Sequence, residues 1–393
     1  MTPPGSDAGR GRPLTSPGSD AGRGRPLAGT VSARFPEFPW DTIADAKTRA
    51  AAHPGGLVDL SIGTPVDPTP DVVQKALVDA ADAPGYPTVL GPVALRQAAV
   101  DWLERRFGIT GLTADHVLAT IGSKELIANL PTQLGLGPSD LVVVPEIAYP
   151  TYDVGAHYAG CQVMAADSTV KLGPVRPAIA YINSPANPHG RILGADHLRK
   201  MIAWSRERGT LLVSDECYLE FAWEGEPASV LHPDINGGSL EGVLALHSLS
   251  KRSNMAGFRG AFVVGDAAVV TELLAVRKHL GFMVPTPVQV AMIAALADDA
   301  HVDRQRATYA ARRAMLRTAL ESAGFTIEHS QGALYLWATR GEPCRATIDW
   351  LAELGILAAP GDFYGPRGLQ HVRLAITATD ERIAAAAARL TRS

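Results

Sequence analysis

Cysteine is scarce in this chain. Its 393 residues include three, Cys161, Cys217 and Cys344. Odd in number and far apart, they make neither a disulfide framework nor the paired spacing of a zinc site, and no metal is expected. They fit a reducing, cytoplasmic setting. Charge of one sign is lacking too. The 36 basic residues stand against 40 acidic ones, a formal net charge of -4. That leaves no basic surplus for nucleic acid or for an acidic membrane surface. No apolar run reaches the roughly 18 residues of a membrane span.

What is present is an ordinary globular composition, 46% hydrophobic and 19% charged. The chain is too long for one core, so two domains are expected. Ahead of them, residues 4–14 recur as 17–27, the same Pro-Gly-Ser-Asp-Ala-Gly-Arg-Gly-Arg-Pro-Leu twice. Gly and Pro dominate there and little can be buried. Residues 1–32 are therefore expected to form a disordered tail with no secretory core.

From about residue 117 to 264 the pattern is α/β. Short apolar runs at 141–144, 178–182, 211–213, 243–246 and 261–264 read as buried, mostly parallel strands. Amphipathic segments lie between them. One spans 195–208, with Leu198, Met201, Ile202 and Ser205 on one face and Gly209 as its stop. Ligands of such domains gather at the carboxyl ends of the strands. Asn183 to Gly190 follow one run, Asp215 to Tyr218 the next, Ser248 to Lys251 a third, and Pro145 to Tyr149 a fourth.

The third of these is the richest. Ser248-Leu249-Ser250-Lys251-Arg252-Ser253-Asn254-Met255-Ala256-Gly257-Phe258-Arg259-Gly260 places a lysine at the end of a buried strand. Desolvation there lowers the lysine pKa and makes a usable amine nucleophile. The hydroxyls of Ser248 and Ser250 and the fork of Arg259 suit a phosphate. Taken alone, the stretch reads equally well as a surface loop with scattered charges.

The pattern Ser-x-Ser-Lys with Arg259, followed by Gly260, eight positions on resembles the cofactor-lysine signature of the class I/II pyridoxal-phosphate aminotransferases. The resemblance covers about residues 33–390. It implies a fold type I pyridoxal-phosphate-dependent transferase, α/β, with a mostly parallel central sheet and a smaller α/β C-terminal domain. Domains are expected at 61–285 and 286–393, with 33–60 packing on the smaller one. Lys251 would hold pyridoxal 5'-phosphate covalently and act as base and acid. Ser123, Lys124, Ser248, Ser250 and Arg259 would hold its phosphate, the first two through backbone N–H groups at a helix start. Asp215 would face the ring nitrogen and keep it protonated. Asn187 and Tyr218 would face the phenolic oxygen, and Tyr149 would stack on the ring. Tyr86 would reach the neighbouring active site of a homodimer.

For the substrate, the resemblance implies that Arg373 grips the α-carboxylate, with Gly63 and Asn187 beside it. Taken alone, Arg373 reads as a strand arginine turned to solvent, and Gly63 as a plain turn. The loop departs from the family at His189, where threonine is usual. The activity implied is amino transfer between an amino acid and a 2-oxo acid. The wording of the motifs is most similar to N-succinyldiaminopimelate aminotransferases, which use glutamate as donor. Aspartate- or alanine-type aminotransferases stay open, as do β-eliminating carbon–sulfur lyases and a non-catalytic protein of the same fold.

Overall fold

The computed structural model describes residues 35–392, so the expected tail at 1–32 lies outside the described residues. Two sheets dominate. The larger has seven strands, in the spatial order Val117–Ile121, Gly260–Gly265, Val243–Ser248, Leu211–Asp215, Ile179–Asn183, Leu141–Val144, Gln162–Ala165. All run parallel except Gly260–Gly265, which is antiparallel to both neighbours. The four inner runs Leu141–Val144, Ile179–Asn183, Leu211–Asp215 and Val243–Ser248 are almost wholly buried, as continuous apolar strands covered on both faces should be. Gln162–Ala165 is an edge strand with outward-facing ends. Its apolar run, Val163 to Ala166, is short and only partly buried, and the sequence analysis does not single it out as a strand.

The register brings the chemistry to one edge. Asn183 pairs with Asp215, Ser248 with Ala261, and Ile121 with Gly260. The ends of five elements therefore stand side by side. Helices cover the sheet. Val93–Phe107 starts after Pro92 and ends at Gly108, and Ala195–Arg208 ends at Gly209, both glycines being left-handed. Helix Ser123–Gln133 runs two residues past Pro131 rather than ending before it. The proline sits in its last turn.

The smaller sheet is antiparallel, in the order Ala359–Pro360, Val372–Ala375, Tyr335–Thr339, Thr326–Ile327. Beside it, Val58–Asp59 pairs in parallel with Ile356–Leu357. Helix Ala44–Ala51 packs on Cys344–Glu353, where Arg49 pairs with Asp349. Ile43, Ala46, Ala50, Val58 and Leu60 thus share a core with the C-terminal residues.

The sequence pattern predicts one helical stretch from about 288 to 320. There are two helices, Thr286–Ala297 and Ala300–Ser322. Asp298 is extended, and its carboxylate accepts from the N–H of Ala300, the first residue of the second helix, at 2.9 Å. The first helix puts Ala291, Met292, Ala295 and Leu296 into the large core; the second puts Tyr309, Leu316 and Leu320 into the small one. Packing thus passes from the large core to the small one at Asp298–Asp299.

Candidate active site

Lys251 lies in the short helix Leu249–Arg252 that follows the strand Val243–Ser248. Ser248 caps this helix: its Oγ accepts from the Ser250 N–H at 3.2 Å and meets the Ser250 hydroxyl at 2.9 Å. Lys251 Nζ donates to the Gly63 carbonyl. Burial, with help from the Arg373 charge, pulls the ammonium pKa down to about 8. A substantial fraction of the amine is then neutral near physiological pH.

Asp215 ends its strand and is buried. Its carboxylate accepts from the Tyr152 hydroxyl at 2.7 Å and from the Cys217 N–H at 3.2 Å. Burial raises its pKa against those bonds, so this carboxylate is short of a cation. Glu216 turns away, as alternation requires, accepting from Ser214 and from the Val230 N–H. Tyr149 meets Tyr152 edge-on at 5.9 Å, and Tyr152 stacks on Tyr181 at 4.9 Å.

Arg373 is 3% exposed. It does not face solvent: it donates to Asn187 Oδ1 at 2.9 Å and to the Ser61 carbonyl at 2.6 Å. Its Nε has no partner. The guanidinium lies 4.1 Å from the Tyr335 ring centre and 5.2 Å from that of Tyr364. Asn187 is fixed by its own N–H, which donates to Asn183 Oδ1 at 2.7 Å. Asn183 in turn donates to the Asp215 carbonyl at 2.7 Å. Tyr218 is buried, and its hydroxyl meets that of Tyr335 at 2.8 Å. Burial, then the nearby Tyr335, pushes the Tyr218 phenol up, so it stays a neutral donor.

The anion end of the site is built on Gly122. Its φ of 79° is left-handed, and a Cβ there would fall on the Arg259 guanidinium. Helix Ser123–Gln133 begins at once, presenting free N–H groups and its positive end. The Ser123 hydroxyl reaches the Cys217 thiol, which places this helix start beside Asp215. Lys124 points out to solvent.

Most of the expected residues therefore converge: Lys251, Gly63, Asp215, Tyr218, Asn187, Tyr149, Arg373, Ser123, Ser248, Ser250 and Arg259. The Tyr86 side chain does not join them within one chain; it is 96% exposed. Tyr152 and Tyr335 are additions that the sequence reading lacks. Tyr152, three places after Tyr149 in the first turn of helix Thr151–Ala159, is recoverable from that spacing.

This geometry has close counterparts. The model of the family "Aminotransferase class I and II" matches residues 56–390. A probable aminotransferase of Mycobacterium tuberculosis is 63% identical, covering 92% of this chain and 87% of its own. The 4-dedimethylamino-4-oxo-anhydrotetracycline transaminase of Streptomyces rimosus is 58% identical, covering 91% and 99%. Among solved structures, a probable N-succinyldiaminopimelate aminotransferase of Thermus thermophilus superposes with a TM-score of 0.82 at 29% identity, covering 90% and 100%. The chain is a class I and II aminotransferase.

The family depends on pyridoxal phosphate, and the residues present fit it. The short-of-cation Asp215 suits a protonated ring nitrogen, the Gly122 turn and helix start suit a phosphate, and the partly neutral Lys251 suits a carbonyl. The orphaned Arg373 Nε suits a substrate carboxylate. This aminotransferase thus gathers an amine, a carboxylate and a glycine-led helix start at one edge of the large sheet, and the smaller sheet brings a buried guanidinium to them.

Proposed function

We propose that the protein moves the amino group of glutamate onto a 2-oxo acid, and that its acceptor is N-succinyl-2-amino-6-oxopimelate. The observation that carries the 2-oxo acid is Arg373, buried with a free Nε beside Asn187 and the Tyr335 face. A carboxylate on the reacting carbon satisfies that donor; an acceptor without one leaves it orphaned. The acceptor's identity is supported by the wording of the motifs and by the likeness to the Thermus protein.

Bound pyridoxal phosphate supplies the electron sink that makes an amino acid's α-proton acidic. The chain supplies the rest. Arg373 orients the substrate by its carboxylate. Asp215 would keep the ring nitrogen charged, Tyr218 and Asn187 would hold the phenolic oxygen, and Tyr149 would cover the ring. The backbone N–H groups of Ser123 and Lys124, the hydroxyls of Ser248 and Ser250 and the Arg259 guanidinium would hold the phosphate. Lys251 Nζ would hold the cofactor and, once free, would act as the base and acid that takes and returns a proton at the substrate α-carbon. Turnover follows a ping-pong scheme. We further propose a cytoplasmic homodimer in which Tyr86 of each copy reaches the other's phosphate.

A second reading is favoured by one observation, the 58% identity to the Streptomyces transaminase, whose name gives it a ring ketone as acceptor. In that reading Arg373 serves only the donor. A two-step titration separates the two. Glutamate should bleach the long-wavelength absorbance of the cofactor-loaded protein, but not of Lys251→Ala. N-succinyl-2-amino-6-oxopimelate should then restore it faster than oxaloacetate, pyruvate or a 4-oxo-anhydrotetracycline. Restoration by the ring ketone alone would replace the first reading by the second. Pyruvate released from cystathionine, with glutamate inert, would point to a β-lyase instead.

A further inference from the structure

Tyr335 belongs to the small domain, yet it touches three parts of the site. Its hydroxyl meets the Tyr218 hydroxyl at 2.8 Å. Its ring lies under the Arg373 guanidinium, 4.1 Å from centre to carbon. The same ring occupies the space that any Cβ at position 63 would need, where the Gly63 carbonyl accepts from Lys251. The strand Tyr335–Thr339 fixes it there by pairing with Val372–Ala375.

A phenol has one proton to give. If Tyr218 gives its proton to the cofactor's phenolic oxygen, the 2.8 Å contact can be kept only if Tyr335 donates to Tyr218. A hydroxyl that accepts a bond is a stronger donor through its own proton. We propose that Tyr335 is a positioning residue that strengthens the donation of Tyr218 to the cofactor, and so helps set the protonation of the nitrogen that joins Lys251 to it. The proposal rests on the reading of Tyr218 given above. Its consequence is a route from the carboxylate fork to the lysine, since the one ring serves both Arg373 and Tyr218.

The direction of the effect follows. Weaker donation leaves more negative charge on the phenolic oxygen, and the adjoining nitrogen then holds its proton to higher pH. The charged and titratable groups around the pair are Arg373, Cys217, Tyr149, Tyr364, Tyr309 and, across the Gly63 carbonyl, Lys251, and Tyr335→Phe removes none of them.

The test is a pH titration of the absorbance of cofactor-loaded wild type, Tyr335→Phe, Tyr218→Phe and the double variant. Tyr335→Phe should raise the midpoint by about half a unit to one unit, as loss of one neutral hydrogen bond implies. Tyr218→Phe should raise it further, and the double variant no further than Tyr218→Phe alone, because the two act in series. With glutamate, Tyr335→Phe should lower kcat about three- to tenfold and leave KM within about twofold, since the ring under Arg373 remains. An unmoved midpoint in Tyr335→Phe while Tyr218→Phe shifts would overturn the proposal alone, as would additive shifts in the double variant. An unmoved midpoint in Tyr218→Phe would overturn the reading of Tyr218 and the proposal with it.

Discussion

Arg373 carries its charge where water cannot screen it, so its geometry matters more than its sign. Arg373→Lys keeps the charge and loses the fork. We expect kcat/KM for amino donors to fall by about a hundredfold or more, near 3 kcal/mol, with kcat and KM both affected; steady-state kinetics with glutamate would show it. Lys251 makes a pH-dependent claim. Its pKa is lowered, so the amine gains its neutral form as pH rises through about 8. Capture of pyridoxal phosphate by the apo protein should therefore speed up about tenfold per unit below pH 8 and level off above it, in stopped-flow absorbance. A rate independent of pH would contradict the desolvated amine. Lys251, Asp215 and Asn187 were legible in the sequence because each follows a buried apolar run. Tyr335 was not, since its partner Tyr218 lies 117 positions away and no local spacing encodes which hydroxyls meet. The bond between Tyr152 and Asp215, 63 positions apart, was hidden for the same reason, although each residue could be found singly.

At the scale of elements, the helix start at Ser123 depends on one backbone conformation. Gly122→Ala puts a Cβ on a left-handed residue and into the Arg259 guanidinium. We expect cofactor affinity to drop about tenfold or more and the apo protein to lose about 1–3 kcal/mol of stability, measured by equilibrium dialysis and calorimetry. Inner strands and the helix Ala195–Arg208 were readable because period and stop residues agree. The break at Asp298 was not, because two aspartates interrupt a helical pattern only when a following N–H turns to use them. The strand Gln162–Ala165 escaped notice although Val163 to Ala166 are apolar, because so short a run has no period of its own; pairing with Leu141–Val144 makes it a strand.

For the whole molecule, the two domains are tied on both sides of the site. On one side Lys171 and the small-domain Arg367 both pair with Glu146, and the Ala148 N–H donates to the Tyr364 carbonyl at 2.9 Å. On the other, Arg312 forms a two-pronged pair with Asp67 at 2.7 Å and a further bond to Asp380. Asp67→Ala leaves a buried guanidinium with half its partners, and should cost about 2–3 kcal/mol in denaturant unfolding. The proposed dimer gives a further expectation. Tyr86→Phe should loosen the cofactor about tenfold without altering a dimeric sedimentation coefficient; a monomeric wild type at micromolar concentration would remove the basis for it. The pairing of Val58–Asp59 with Ile356–Leu357 also bears on how the molecule is made. The first strand to leave the ribosome waits for one of the last, nearly three hundred residues later. The large sheet can close during synthesis, but the smaller core stays open until the final helices emerge. Nascent chains halted before residue 356 should therefore show a protease-resistant middle and a protease-sensitive beginning.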